Sequence, residues 1–68
     1  MDEGELMRKR FRVLLAERDM TLQELSERTG LHISSLSDIR SGKSSPRVAT
    51  LERIATALGV QVRDFFEE

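Results

Sequence analysis

The sequence predicts an all-α fold, a compact body of five helices forming a single domain over residues 1–68. Three observations carry that expectation. Val48, Leu51, Ile54, Ala55 and Leu58 recur with the helical period and form the clearest apolar stripe in the chain. Between Thr21 and Ser41 two short amphipathic stretches meet at Gly30. No alternating apolar and polar run is long enough for a strand, since Val60 and Val62 make only a brief pair with no partner. A chain of 68 residues holds one small core.

Residues 1–4 read as a frayed lead-in. A first helix is expected from about Glu5 to Arg18, with Phe11, Leu14 and Leu15 on its inner face. Acidic residues at its start suit the helix dipole. Arg8, Lys9, Arg10 and Arg12 are too closely spaced to share one face. Thr21 and Glu24 have the spacing of a capping box, and Met20 and Leu25 that of a hydrophobic staple. Gly30 stops this second helix, because a left-handed residue costs least as glycine. A third helix follows over Ile33–Arg40, with Leu36 and Ile39 inward and Ser34, Ser35, Ser37 and Asp38 outward; Gly42 ends it. Two short helices at a tight glycine turn make a helix-turn-helix pattern, and helices of that length need tertiary packing to persist. The stretch SGKSSP reads as a loop, in which Ser45 can cap and Pro46 fits the first position of a fourth helix running to about Leu58. Gly59 closes that helix, and a fifth is expected over about Val62–Glu67. The expected core is Phe11, Leu14, Leu15, Leu25, Leu31, Leu36, Ile39, Leu51, Ile54, Ala55, Leu58 and Phe65.

The net charge of −1 does not by itself point to nucleic acid, but the charges are unevenly placed. Arg40, Lys43 and Arg47 face only Asp38 between Gly30 and Leu51, whereas acidic residues collect at both ends of the chain. One basic face on a nearly neutral body follows from that distribution. One histidine, no cysteine and no converging carboxylate pair argue against an enzyme and against a metal site, and no cofactor is expected. The N-terminal residues lack a secretory pattern, and no apolar run reaches the length of a membrane span, so a cytoplasmic protein is expected.

Three segments in order, MTLQELSERTG, ISSLSDIRSGKSSP and TLERIATALGV, resemble the DNA-binding domain of the Cro and phage-repressor type, the xenobiotic-response-element family of bacterial regulators. The resemblance covers about Phe11–Phe66. It implies a lambda-repressor-like fold whose helix-turn-helix is formed by the second and third helices. Leu25 and Leu31 then occupy core positions around the turn at Gly30, and Leu36 and Ile39 the buried side of the recognition helix. Base-reading positions correspond to His32, Ile33, Ser34 and Asp38. Backbone contacts correspond to Thr21, Gln23, Ser35, Ser37, Arg40, Lys43 and Arg47. The chain departs from the family pattern at Leu22 and Ile33, where glutamines are usual. It departs again at Leu15 and Arg40, where the family often pairs arginine with glutamate.

The resemblance implies a sequence-specific regulator of double-stranded DNA, a repressor in type, reading the major groove with residues 33–40. Each base pair shows a distinct donor and acceptor pattern there. Asp38 can accept from a cytosine amino group, Ser34 can donate or accept, and Ile33 can meet a thymine methyl. A homodimer is expected through Val62, Phe65 and Phe66, placing two recognition helices in successive grooves. The alternative is a protein-interaction or antitoxin-type module using the same fold, which Leu22 and Ile33 favour if they leave an apolar patch on the outer face.

Overall fold

A computed structural model describes residues 2–68. Four α-helices, α1 (Glu3–Glu17), α2 (Leu22–Thr29), α3 (Ile33–Ser41) and α4 (Val48–Leu58), are followed by a 3₁₀ turn, Val62–Phe65. The body measures 30 × 22 × 20 Å. The pair α2 and α3 pack on each other, α4 lies against α2, and α1 crosses α3 and the 3₁₀ turn. No helix among the described residues is long and apolar enough to cross a membrane.

Helix α1 begins at Glu3, two residues earlier than expected. Asp2 caps it by accepting from the Glu5 amide at 2.8 Å, and Glu3 and Glu5 lie where the helix dipole favours negative charge. Met1, also expected in the lead-in, lies outside the described residues. At the other end Asp19 adopts φ 50°, which lets Met20 donate to the Leu15 carbonyl at 3.0 Å and turns the chain into α2. The capping box closes as expected: the Glu24 amide donates to Thr21 Oγ1 at 3.1 Å, and the Thr21 amide donates to Glu24 Oε1 at 3.2 Å. Gly30, at φ 77°, ends α2 in the left-handed region. Thr29, buried beneath the turn, donates to the Leu25 carbonyl at 2.7 Å and accepts from the Leu31 amide at 3.2 Å. Its hydroxyl thus fixes the angle at which α3 leaves.

Two later elements differ from expectation. Ser45 and Pro46 do not open α4; Arg47 is the N-cap and Val48 the first helical residue. The first turn closes directly below the core stripe, where the Leu51 amide donates to the Arg47 carbonyl at 2.9 Å. Val48 therefore precedes the buried part of the stripe and is 67 % exposed. The fifth helix is a single 3₁₀ turn, in which residues three apart eclipse, so Val62 and Phe65 both reach the core from one short segment.

The core comprises the expected residues with one exchange: Met7 is buried, and Leu31 is only partly covered. Phe11 and Phe65 lie at its centre, both 0 % exposed, with ring centroids 6.4 Å apart. Two long side chains bind this core to its edges. Arg18 Nε donates to the Leu58 carbonyl at 2.7 Å, placing a cation at the C-terminus of α4. Arg10 Nε donates to the Asp64 carbonyl at 2.9 Å and holds the 3₁₀ turn onto α1.

Candidate nucleic-acid interface

Helix α3 is anchored by Leu36 and Ile39, at 0 % and 4 % exposure. The same anchoring turns His32, Ile33, Ser34 and Ser35 out into solvent, while Ser37 and Asp38 are half-buried on its flanks. His32 is the N-cap, but its side chain makes no cap hydrogen bond. Among the described residues, no hydrogen bond within the chain occupies the side chains of Ser34, Ser35, Ser37 or Asp38. These donors and acceptors remain available to an external partner. Ile33 is 44 % exposed and lies among them.

Beyond α3, Gly42 at φ 87° ends the helix, and the Lys43 amide returns to the Asp38 carbonyl at 2.8 Å. Lys43 and Arg47 project from the exposed loop that follows. Arg47 caps α4 through its backbone alone, leaving its guanidinium out of the helix start. Arg40 is exposed at the last turn of α3.

At the start of α2 the expected contacts divide. The Thr21 hydroxyl is engaged in the capping box. Gln23 is exposed and its Nε2 donates to Glu27 Oε2 at 3.4 Å. Leu22 packs partly against the core, so the apolar residue at a usual glutamine position serves packing.

The four cations of α1 split into two pairs. Lys9 bonds Glu68 and Arg10 holds Asp64, both toward the end of the chain. The hydrogen bond from Lys9 holds the Glu68 carboxyl below the usual glutamate range. Arg8 and Arg12 lie one turn apart and reach the end of α3. The Arg8 side chain covers Gly42, where an added Cβ would sit 2.6 Å from Arg8 Cδ. Arg12 Nη2 approaches the Arg40 carbonyl at 3.5 Å. An open cleft of about 560 Å³ lies beside them, lined by Arg12, Leu15, Met20, Thr21, Leu22 and Arg40. Sequence reasoning missed Arg8 and Arg12; their separation of four residues on a helix was the available signal.

Of the residues expected at a dimer contact, Phe65 is withdrawn. It is fully buried within its own subunit against Phe11 and has no surface to offer. Val62 and Phe66 are half-buried and keep apolar surface.

Residues 10–67 match the family model for the Cro/C1-type HTH DNA-binding domain. The chain is 45 % identical over 56 residues to YozG of Bacillus subtilis, an uncharacterized HTH-type transcriptional regulator; the match covers 81 % of this chain and 67 % of that protein. It is 39 % identical over 54 residues to the immunity repressor protein of Bacillus phage phi105, covering 79 % of this chain and 38 % of the repressor. In structure it is similar to an HTH_3 family transcriptional regulator from Vibrio cholerae, with a TM-score of 0.86 and 30 % identity over 93 % of this chain and 35 % of the other. The chain thus spans about two thirds of one such relative and little more than a third of the others.

Proposed function

Because the chain belongs to the family of Cro/C1-type helix-turn-helix DNA-binding domains, a family of transcriptional regulators rather than enzymes, we propose that it represses transcription by seating α3 in the major groove of a specific duplex. The observation that supports this most directly is the run of exposed residues His32–Ser35 at the N-terminal end of α3, projecting from a helix whose other side is locked in the core. His32, Ile33, Ser34 and Asp38 read base edges in this arrangement. Ser35, Ser37, Arg40, Lys43 and Arg47, with Thr21 and Gln23 at the start of α2, border the backbone and set register and affinity. Repression follows from occupancy, since a bound domain blocks the groove to other proteins.

A salt titration against random duplex and against the DNA upstream of the chain's own gene tests this reading. Binding is expected to weaken steeply with salt, through release of counterions from the phosphates it neutralises, and to favour one site. Lys43→Ala is expected to weaken every duplex alike and reduce the salt slope by about one. Asp38→Ala is expected to relax selectivity at one base pair, by about 1–3 kcal/mol, while leaving random-duplex affinity equal or higher. Binding insensitive to salt and sequence rejects the proposal.

One domain covers one half-site, so two copies are proposed to pair through Val62 and Phe66. Mass measured across a dilution series is expected to report a dimer at high concentration and a monomer for Phe66→Glu. A parent chain monomeric throughout rejects the pairing. The exposed apolar side chain of Ile33 favours a second reading, an antitoxin-type module that docks a protein on the same face. Such docking would lack the steep salt slope.

A further inference from the structure

Among the described residues, the two arginines that meet at the end of α3 have no anionic partner. Among the described residues, ion pairs link only Lys9 with Glu68 and Arg18 with Glu17. Neither Arg12 nor Arg40 takes part. The one internal hydrogen bond made by Arg12, to the Arg40 carbonyl, is long at 3.5 Å, so most of its donors stay uncommitted. The cleft that both line has apolar walls at Leu15, Met20 and Leu22. Two guanidiniums at one cleft repel each other unless an anion lies between them. The Leu22 side chain, on the α2 side, supplies no hydrogen bond.

We propose that Arg12 and Arg40 jointly hold one backbone phosphate of the bound duplex in this cleft, so that α1 contributes a DNA contact from outside the helix-turn-helix pair. This rests on the DNA-binding reading above. A guanidinium presents its donors in a planar fork that matches phosphate oxygens. Arg40 rises from the last turn of the groove-reading helix and Arg12 from the helix crossing it. A phosphate gripped by both fixes the tilt of α3 against the backbone. Arg12 is a positioning contact, giving affinity without choosing bases.

The test measures binding to one duplex across a salt series for the parent, Arg12→Gln, Arg40→Gln, the double variant and Arg12→Lys, with thermal melts to confirm folding. Arg63→Gln, in the 3₁₀ turn, is the control. Each single glutamine variant is expected to bind specific and random duplex several-fold more weakly. The double variant is expected to lower the salt slope by about one, the value for a single phosphate. Arg12→Lys keeps the slope, because its charge remains, but loses affinity with the fork. The control keeps both. A folded Arg12→Gln with parental affinity and slope overturns the shared cleft, as does a fall of about two in the double variant, which would mean two separate phosphates. If Arg12 only caps the C-terminus of α3, its variant melts earlier yet binds unchanged once folded, which also overturns it. A parent that shows no salt-dependent duplex binding defeats the DNA reading itself, and is thereby distinguishable from failure of the cleft alone.

Discussion

Phe65→Ala is expected to remove most of the stability of the domain. The ring is 0 % exposed and packs against Phe11 at a centroid separation of 6.4 Å, within the range of favourable aromatic pairs. Truncating a buried phenylalanine to alanine costs about 3–5 kcal/mol, because the transfer energy is lost and a cavity remains. At roughly 0.05–0.15 kcal/mol per residue, a chain of 68 residues has only about 3–10 kcal/mol in total. A urea titration followed by circular dichroism should therefore show the variant largely unfolded or with its midpoint sharply lowered. The loss should be the same at every protein concentration, because the contact lies within one subunit. Phe66→Ala, at a half-buried site, should cost well under half as much. If Phe65→Ala instead kept its urea midpoint and changed only the dilution behaviour, Phe65 would belong to an interface between copies.

That contrast between adjacent phenylalanines shows where the sequence stops being readable. Helical spacing marks both as apolar positions, and nothing local says which one enters the core. The choice is made by the 3₁₀ geometry, which sets Phe65 in line with Val62 and under α1. The helix-turn-helix pair was legible because its determinants are local. Thr21 with Glu24, Gly30 and Gly42 act within a few residues of themselves, and each has the role its chemistry suggests. The inner stripe of α4 was legible for the same reason, but its start was not. Ser45 and Pro46 have good local credentials for a helix start, and packing below Leu51 overrides them. Likewise Asp2 and Glu5 complete a cap that a terminal position made easy to discount. In the outer face of α3, burial of Leu36 and Ile39 leaves the expected polar residues outward, so that part of the site follows from periodicity. The cationic flank does not. Whether Arg8, Lys9, Arg10 or Arg12 reaches α3 depends on how α1 crosses it, which only tertiary structure decides.

Ile33→Glu is expected to abolish specific binding while leaving the fold intact. Ile33 is the first residue of α3 and is 44 % exposed, so little buried apolar surface is lost. A carboxylate in the first turn of a helix is also favoured by the dipole, by about 0.3–1 kcal/mol. The melting temperature should accordingly stay level or rise slightly. With α3 seated in the groove as proposed, the same group would meet a field of phosphates and lose the proposed contact with a thymine methyl. Opposed like charges at an interface cost several kcal/mol, equivalent to a loss of at least about 100-fold in affinity. Ile33→Thr should lose far less, because threonine retains a methyl group that can meet thymine. Fluorescence anisotropy with a labelled duplex, at fixed salt, compares the three chains directly. The protein-docking alternative makes a different forecast: Ile33→Glu would then remove capture of a protein partner, and neither parent nor variant would bind the duplex with a steep salt slope. A folded Ile33→Glu that binds the specific duplex as tightly as the parent would place this residue outside the groove, and α3 would then have to meet DNA by a different face from the one its buried leucine and isoleucine turn outward.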